Sequence, residues 1–210
     1  MYNYFCNNNS STNVKRIKNI VLMFGGILIS SVFLIKILVE LFLDKYIESL
    51  SVLYILFAAQ YFSFIIKCVH LNLFKAKKLQ DIYFGLMVII IILSIVLNLI
   101  FFNIDNSIVY IAYATLVVNF IWFLVGELYF KNYWLNYKEY FYVLIILISF
   151  IILNTFIINN YVAFIIYIVI YLIFTFILNN ETFTYLVKEL TKFLKKKQKN
   201  VFASEIEKAP

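Results

Sequence analysis

The chain of 210 residues contains a single proline, Pro210, at its last position, and only four glycines: Gly25, Gly26, Gly85 and Gly126. No proline interrupts a helix before the end, and no Pro-rich or Gly/Ser-rich linker divides the chain into domains. The two cysteines, Cys6 and Cys68, lie far apart, which excludes a disulfide framework and a cysteine metal site. Cys68 reads as a small apolar residue. The one histidine, His70, has no second His, Cys or carboxylate at ligand spacing, so no metal is expected. Charge is scarce too: 14% of residues are charged, 64% are hydrophobic, and the mean hydropathy is +0.93. Soluble domains are far richer in charge, so this composition cannot build a water-soluble shell. The strings GxSxG and HExxH and the P-loop are absent, and no carboxylate pair with a histidine marks one interface. No enzyme class and no cofactor is therefore expected.

What the chain has in abundance is long apolar runs. Six approach the ~20 residues that a helix needs to cross a bilayer: 19–43, 51–73, 82–103, 107–130, 139–158 and 161–179. Backbone amides in lipid must bond within their own segment, so these runs are helices. A barrel would need alternating polarity, and "VIIIILSIVLNLIFF" (88–102) has none. The expected fold is an all-α integral membrane bundle of six spans. Residues 1–18 form a polar N-terminus, and 180–210 a basic tail. The first apolar run is long and lacks a small-residue cleavage site, so it is expected to stay as an anchor rather than leave as a signal peptide.

Short interruptions join these runs. "NIDN" (103–106) and "NNY" (159–161) read as tight turns between antiparallel spans on one face of the membrane. Lysine and arginine mark the opposite face. Lys15, Arg16 and Lys18 precede the first span, Lys75, Lys77 and Lys78 follow the second, and Lys131 and Lys138 lie between the fourth and fifth. Seven more lysines follow the sixth span, so that fifteen of the eighteen basic residues fall on one side. That asymmetry places both termini in the cytoplasm. It also accounts for the net charge of +7 without nucleic acid as a partner. In the tail, Phe183, Leu186, Leu190, Phe193 and Leu194 share one helical face. Two readings stand for it: a helix lying on an anionic leaflet, or a solvated lysine tail that only fixes topology.

Polar groups inside spans are costly and need an account. Lys36, Glu40 and Asp44 follow at i, i+4 and i+8, a stripe toward the outer end of the first span. It reads either as an ion pair snorkelling to the interface or as a cation for an anionic head group beside titrating carboxylates. Lys67 and His70, near the cytoplasmic end of the second span, read first as snorkelling groups. Glu127 ends the fourth span four residues before Lys131, its expected partner. Gln60, Asn98, Asn119 and Asn154 are expected to bond across helices, or else to line a wet cavity. "FGGIL" (24–28) offers a patch for close helix approach.

Three stretches carry a family resemblance. In "LFLDKYIESLSVLYIL" (41–56), Leu41, Phe42, Tyr46, Glu48, Ser49, Leu53, Ile55 and Leu56 match a Leu-Phe-Gly-x-x-Tyr run followed by Glu-Ser and Leu-x-Ile-Leu, with Leu43 in place of glycine. "LNLFKAKKLQ" (71–80) matches a segment leading into a Gly-Lys hairpin, with Ala76 for glycine and Lys77 retained. In "LNLIFFNIDNSIVYIAYAT" (97–115), Asn98, Ala112, Ala114 and Thr115 match, but the usual proline and glycines of the turn are absent. Over residues 15–195 the chain resembles the C-terminal half of the lipid-linked oligosaccharide (O-antigen, polysaccharide) flippases of the multidrug/oligosaccharidyl-lipid/polysaccharide exporter superfamily.

The resemblance implies one lobe of a two-lobed transporter in the bacterial inner membrane. Its cargo would be an undecaprenyl-diphosphate-linked oligosaccharide carried out of the cytoplasmic leaflet. Lys36, with Lys67 second, would hold the diphosphate, Asn98 and Asn119 would bond sugar, and Glu40 and Asp44 are the coupling candidates. Relatives have about twelve to fourteen helices, so six make at most one lobe. The expectation is a truncated product, a half that pairs with a partner chain, or a protein that has lost transport. The competing readings are a non-transporting membrane protein of a surface-glycan pathway and, more weakly, a small membrane acyltransferase.

Overall fold

A computed structural model describes residues 11–156, 159–188 and 191 of the chain. Among the described residues the protein is an all-helical bundle with six helices long and apolar enough to span a membrane. They are α1 (Ser11–Phe42), α2 (Asp44–Ala76), α3 (Gln80–Ile104), α4 (Ile108–Tyr129), α5 (Tyr137–Phe156) and α6 (Asn160–Leu178). A further helical stretch, α7, covers 180–188. The chain is a multi-pass membrane protein.

The helix ends follow local chemistry. Ser107 caps α4, its hydroxyl accepting from the Val109 amide at 3.3 Å. Asn159 caps α6, accepting from the amides of Tyr161 and Val162 at 3.0 and 3.3 Å. Both satisfy amides that a helix start leaves unpaired. The α2–α3 hairpin turns at Lys78, whose φ of 57° is left-handed. No glycine is available there, so a lysine carries the strain.

Two helices differ from the sequence-based expectation. α1 is already helical at Ser11, so Lys15, Arg16 and Lys18 stand on the helix rather than in a polar leader. α2 opens with a 3-10 segment, Asp44–Ser49, and contains a π-helical turn, Ile66–His70. The wider turn changes the phase of the side chains that follow it, and needs no proline. The amphipathic tail reading falls mostly outside the described residues, since Leu190, Phe193, Leu194 and the lysines from Lys192 onward are not among them.

α1 is the centre of the bundle, packed against α2, α5 and α6, while α4 packs on α2 and α3 on α4. In lipid, helix association rests on close packing and polar contacts rather than on the hydrophobic effect. Gly25 and Gly26 supply that closeness. A Cβ on Gly25 would meet the Tyr61 ring at 2.9 Å, and one on Gly26 would meet the Tyr171 ring at 2.9 Å. The tyrosines then bond the exposed backbone. Tyr61, Tyr167 and Tyr171 hydroxyls donate to the carbonyls of Leu22, Gly26 and Met23 at 3.2, 2.8 and 3.0 Å. Tyr142 on α5 and Thr175 on α6 share a further hydrogen bond of 3.0 Å. The glycine patch is therefore a seat for tyrosine rings. α3 is the opposite case: only Ile90 is buried, Tyr83 and Leu86 are partly covered by the core, and most of its other apolar side chains are exposed.

The lysine-rich ends converge. The start of α1 meets the ends of α2 and α4 and the start of α5 through Lys18, His70, Glu127 and Tyr140. At the other end, Glu40 of α1 accepts from Asn160 of α6 at 2.6 Å. Among the described residues, Lys15, Arg16, Lys18, Lys75, Lys77, Lys78, Lys131 and Lys138 thus stand at one end of the bundle, with Lys45 at the other.

Candidate functional site

The ionisable groups that matter lie at the basic end and were not read as a site from the sequence. Glu127, on the last turn of α4, is 4% exposed. Lys18, 2% exposed on α1, donates to its Oε2. The Tyr140 hydroxyl of α5 donates to the same oxygen at 2.5 Å. His70, also 2% exposed, donates from Nε2 to Oε1 at 3.0 Å. The Glu127 backbone carbonyl accepts from the Trp134 indole at 2.7 Å. The carboxylate thus ties α1, α2 and α5 to α4, and the Glu127 backbone carbonyl ties in the α4–α5 loop.

Local structure makes this possible. The π turn rotates His70 inward, and Gly126 leaves room for its ring: a Cβ there would overlap the imidazole, with Cε1 at 2.5 Å and Cγ at 2.8 Å. The expectation that Glu127 pairs with Lys131 is corrected. Lys131 lies in the short 3-10 turn after α4 and is exposed, whereas Glu127 points into the bundle. Likewise His70 is not a snorkelling group. Sequence alone placed Lys18, His70 and Glu127 at similar depth, but only helix rotation shows that they face one another. The paired charges and three donors offset a desolvation cost that none could bear alone. Chemically the cluster can fasten four helices together.

The residues nominated from the sequence are dispersed. Lys36 is buried in α1, with Nζ 3.4 Å from the Asn154 carbonyl and 5.1 Å from the Tyr54 ring centroid. Among the described residues, Lys36 makes no ion pair, because both ion pairs belong to Glu127. Glu40 is engaged with Asn160. Asp44 lies past the end of α1, exposed in the 3-10 segment, so the expected stripe of three charges stops at Glu40. Lys67 is exposed at the π turn. The amides do not bridge helices as expected. Asn98 reaches Ser94 at 3.5 Å, Asn119 the Thr115 carbonyl at 3.1 Å and Asn154 the Phe150 carbonyl at 2.8 Å, each within its own helix. Gln60 is exposed. Lys36, Asn98 and Asn119 each bond elsewhere rather than to one another.

A cavity of about 1050 Å³ opens beside the cluster, between the first turns of α1, the start of α5, the end of α6 and α7. Lys15, Arg16, Lys138 and Lys188 line it, with Glu139 and Glu181. Asn19 and Asn136 donate to Glu139 Oε1 at 2.8 and 3.2 Å. Among the described residues, no group of His, Cys, Asp and Glu side chains is arranged to hold a metal. No family model matches this chain, and neither the curated proteins nor the solved structures contain a match to it.

Proposed function

We propose that the chain is a six-span lobe of a flippase that moves an undecaprenyl-diphosphate-linked oligosaccharide out of the cytoplasmic leaflet of the bacterial inner membrane, for O-antigen or other surface polysaccharide. The reading rests on the resemblance over residues 15–195. The structural observation that carries it is Lys36: a cation held within a membrane span with no carboxylate in ion-pair contact among the described residues, Glu40 one turn away being bonded to Asn160. Such a group inside a membrane by default marks a pathway or a ligand. A diphosphate is the kind of anion it would hold, by charge-assisted hydrogen bonds. A second lobe, from a partner chain or from a longer product, completes the path for alternating access. The π turn in α2 is an irregularity of the kind that kinks a helix, present here without proline.

The test is flipping of a fluorescent undecaprenyl-diphosphate-linked glycan in proteoliposomes. The purified chain alone is expected to be inactive, and a complex isolated from native membranes active. Lys36→Ala is expected to abolish flipping by the complex, and Lys36→Arg to retain it. Robust flipping by the chain alone overturns the half-transporter reading, and full activity of Lys36→Ala removes the assigned role of Lys36.

One observation favours a second reading, a non-transporting protein of a surface-glycan pathway. The side-chain amides of Asn98 and Asn119 donate within their own helices rather than toward each other or toward Lys36. That reading expects native-membrane complexes without flipping activity, indifferent to Lys36→Ala.

A further inference from the structure

We infer that the cavity at the basic end is a binding site for a membrane lipid with a net anionic, hydroxyl-bearing phosphate head group, of the phosphatidylglycerol class. The site is separate from Lys36 and does not depend on transport. Three observations carry it.

The first is charge. Lys15, Arg16, Lys138 and Lys188 outnumber Glu139 and Glu181 around the cavity, so its wall favours a net anion. Arg16 is held over the Tyr185 ring at 4.6 Å, which orders the guanidinium that phosphate oxygens favour most.

The second is unsatisfied polarity. Asn19 Oδ1, Glu139 Oε2 and both side-chain polar atoms of Asn179 are buried with no hydrogen-bond partner, and all three residues line this cavity. Buried polar atoms are normally paired. Three of these four atoms are acceptors, so the complementary ligand carries donors. A bare phosphate has few to offer, and a choline head group has none. The hydroxyls of a glycerol head supply them while the phosphate meets the cations.

The third is shape. An apolar groove lies alongside, between α6 and α7, formed by Leu172, Ile173, Phe176, Ile177 and Phe183. Ile177 borders both the groove and the polar cavity. A polar, cationic chamber that adjoins a greasy channel on the outer surface of a span fits an amphiphile: head group inside, acyl chain along α6. The bound lipid would pin α7 to the starts of α1 and α5.

The experiment uses the full chain in an uncharged detergent, with dioleoyl phosphatidylglycerol, dioleoyl phosphatidylcholine, dioleoyl phosphatidylethanolamine, glycerol phosphate and inorganic phosphate as separate probes. Thermal midpoint and native mass spectrometry give stability and bound lipid. Phosphatidylglycerol is expected to raise the midpoint and to remain bound as one copy, whereas the other four do so weakly or not at all. Arg16→Gln with Lys138→Gln is expected to weaken phosphatidylglycerol binding about tenfold or more, as loss of two charge-assisted contacts implies. Ile177→Ser is expected to weaken the lipid through the groove. Lys45→Gln, at the far end, is expected to change nothing. These side chains are exposed, so the variants retain the fold, and the lipid-free midpoint checks that. Equal binding of phosphatidylcholine overturns the charge argument, and stronger binding of phosphatidylethanolamine overturns the polyol assignment. Glycerol phosphate or inorganic phosphate binding as tightly as the lipid overturns the acyl groove. Unchanged affinity in the double variant overturns the site.

Discussion

Removing Glu127 is the sharpest test of the packing described above. Glu127→Leu would leave the Lys18 ammonium buried without a counter-charge, and His70 and Tyr140 without their acceptor. Breaking a buried ion pair from one side costs ~3–5 kcal/mol, and each orphaned neutral donor adds up to ~1–3 kcal/mol if it finds no water. The single change is therefore expected to cost at least ~3 kcal/mol, a large part of a marginal stability. Lys18→Met is expected to cost less, because His70 and Tyr140 still donate to the carboxylate. The double variant Lys18→Met/Glu127→Leu removes both charges and fills the space with apolar atoms. It is expected to be more stable than the sum of the two losses predicts, by ~2 kcal/mol or more, since neither charge is left unpaired. The assay is reversible unfolding in mixed micelles, followed by tryptophan fluorescence. Trp134 is a convenient reporter because its indole bonds the Glu127 carbonyl at 2.7 Å. Strictly additive losses, or a Glu127→Leu cost under ~1 kcal/mol, would refute the reasoning, because the carboxylate would then be neither buried nor shared as described.

Other expectations follow from the same geometry. Gly126→Ala forces a methyl group onto the His70 ring and should destabilise by roughly the lost His70–Glu127 bond, ~1.5–3 kcal/mol in the same unfolding assay. Gly85→Ala is the contrast: a Cβ there meets nothing within 4 Å, so the change should be neutral or gain up to ~1 kcal/mol from helix propensity. Tyr167→Phe should cost about 1 kcal/mol through the hydrogen bond to Gly26, measurable against wild type by midpoint shift. Cysteines introduced at positions 105 and 77, after both native cysteines are replaced, should differ in labelling by an impermeant thiol reagent in intact cells, with 105 reactive and 77 protected. The reverse pattern would invert the assigned topology.

The sequence by itself determined the number and order of the spans. A run such as 88–102 in lipid has one way to satisfy its backbone, so helix formation is a local obligation that composition reveals. The interruption at 103–106 and the clustering of lysines mark the turn and the basic end in the same local way, whereas of the turn read at 159–161 only Asn159 lies outside a helix, as the cap of α6. Only the tertiary structure decided which faces meet. His70, Lys18 and Glu127 sit at compatible depths in the sequence, but their meeting depends on the rotation of three helices, one of them rephased by a π turn that no proline announces. Asn98 and Asn119 looked equally fit to cross helices and instead bond within their own. Rotation and neighbour order are fixed by many small contacts summed over the bundle, such as the tyrosine rings seated on Gly25 and Gly26, and no single stretch of residues encodes that sum.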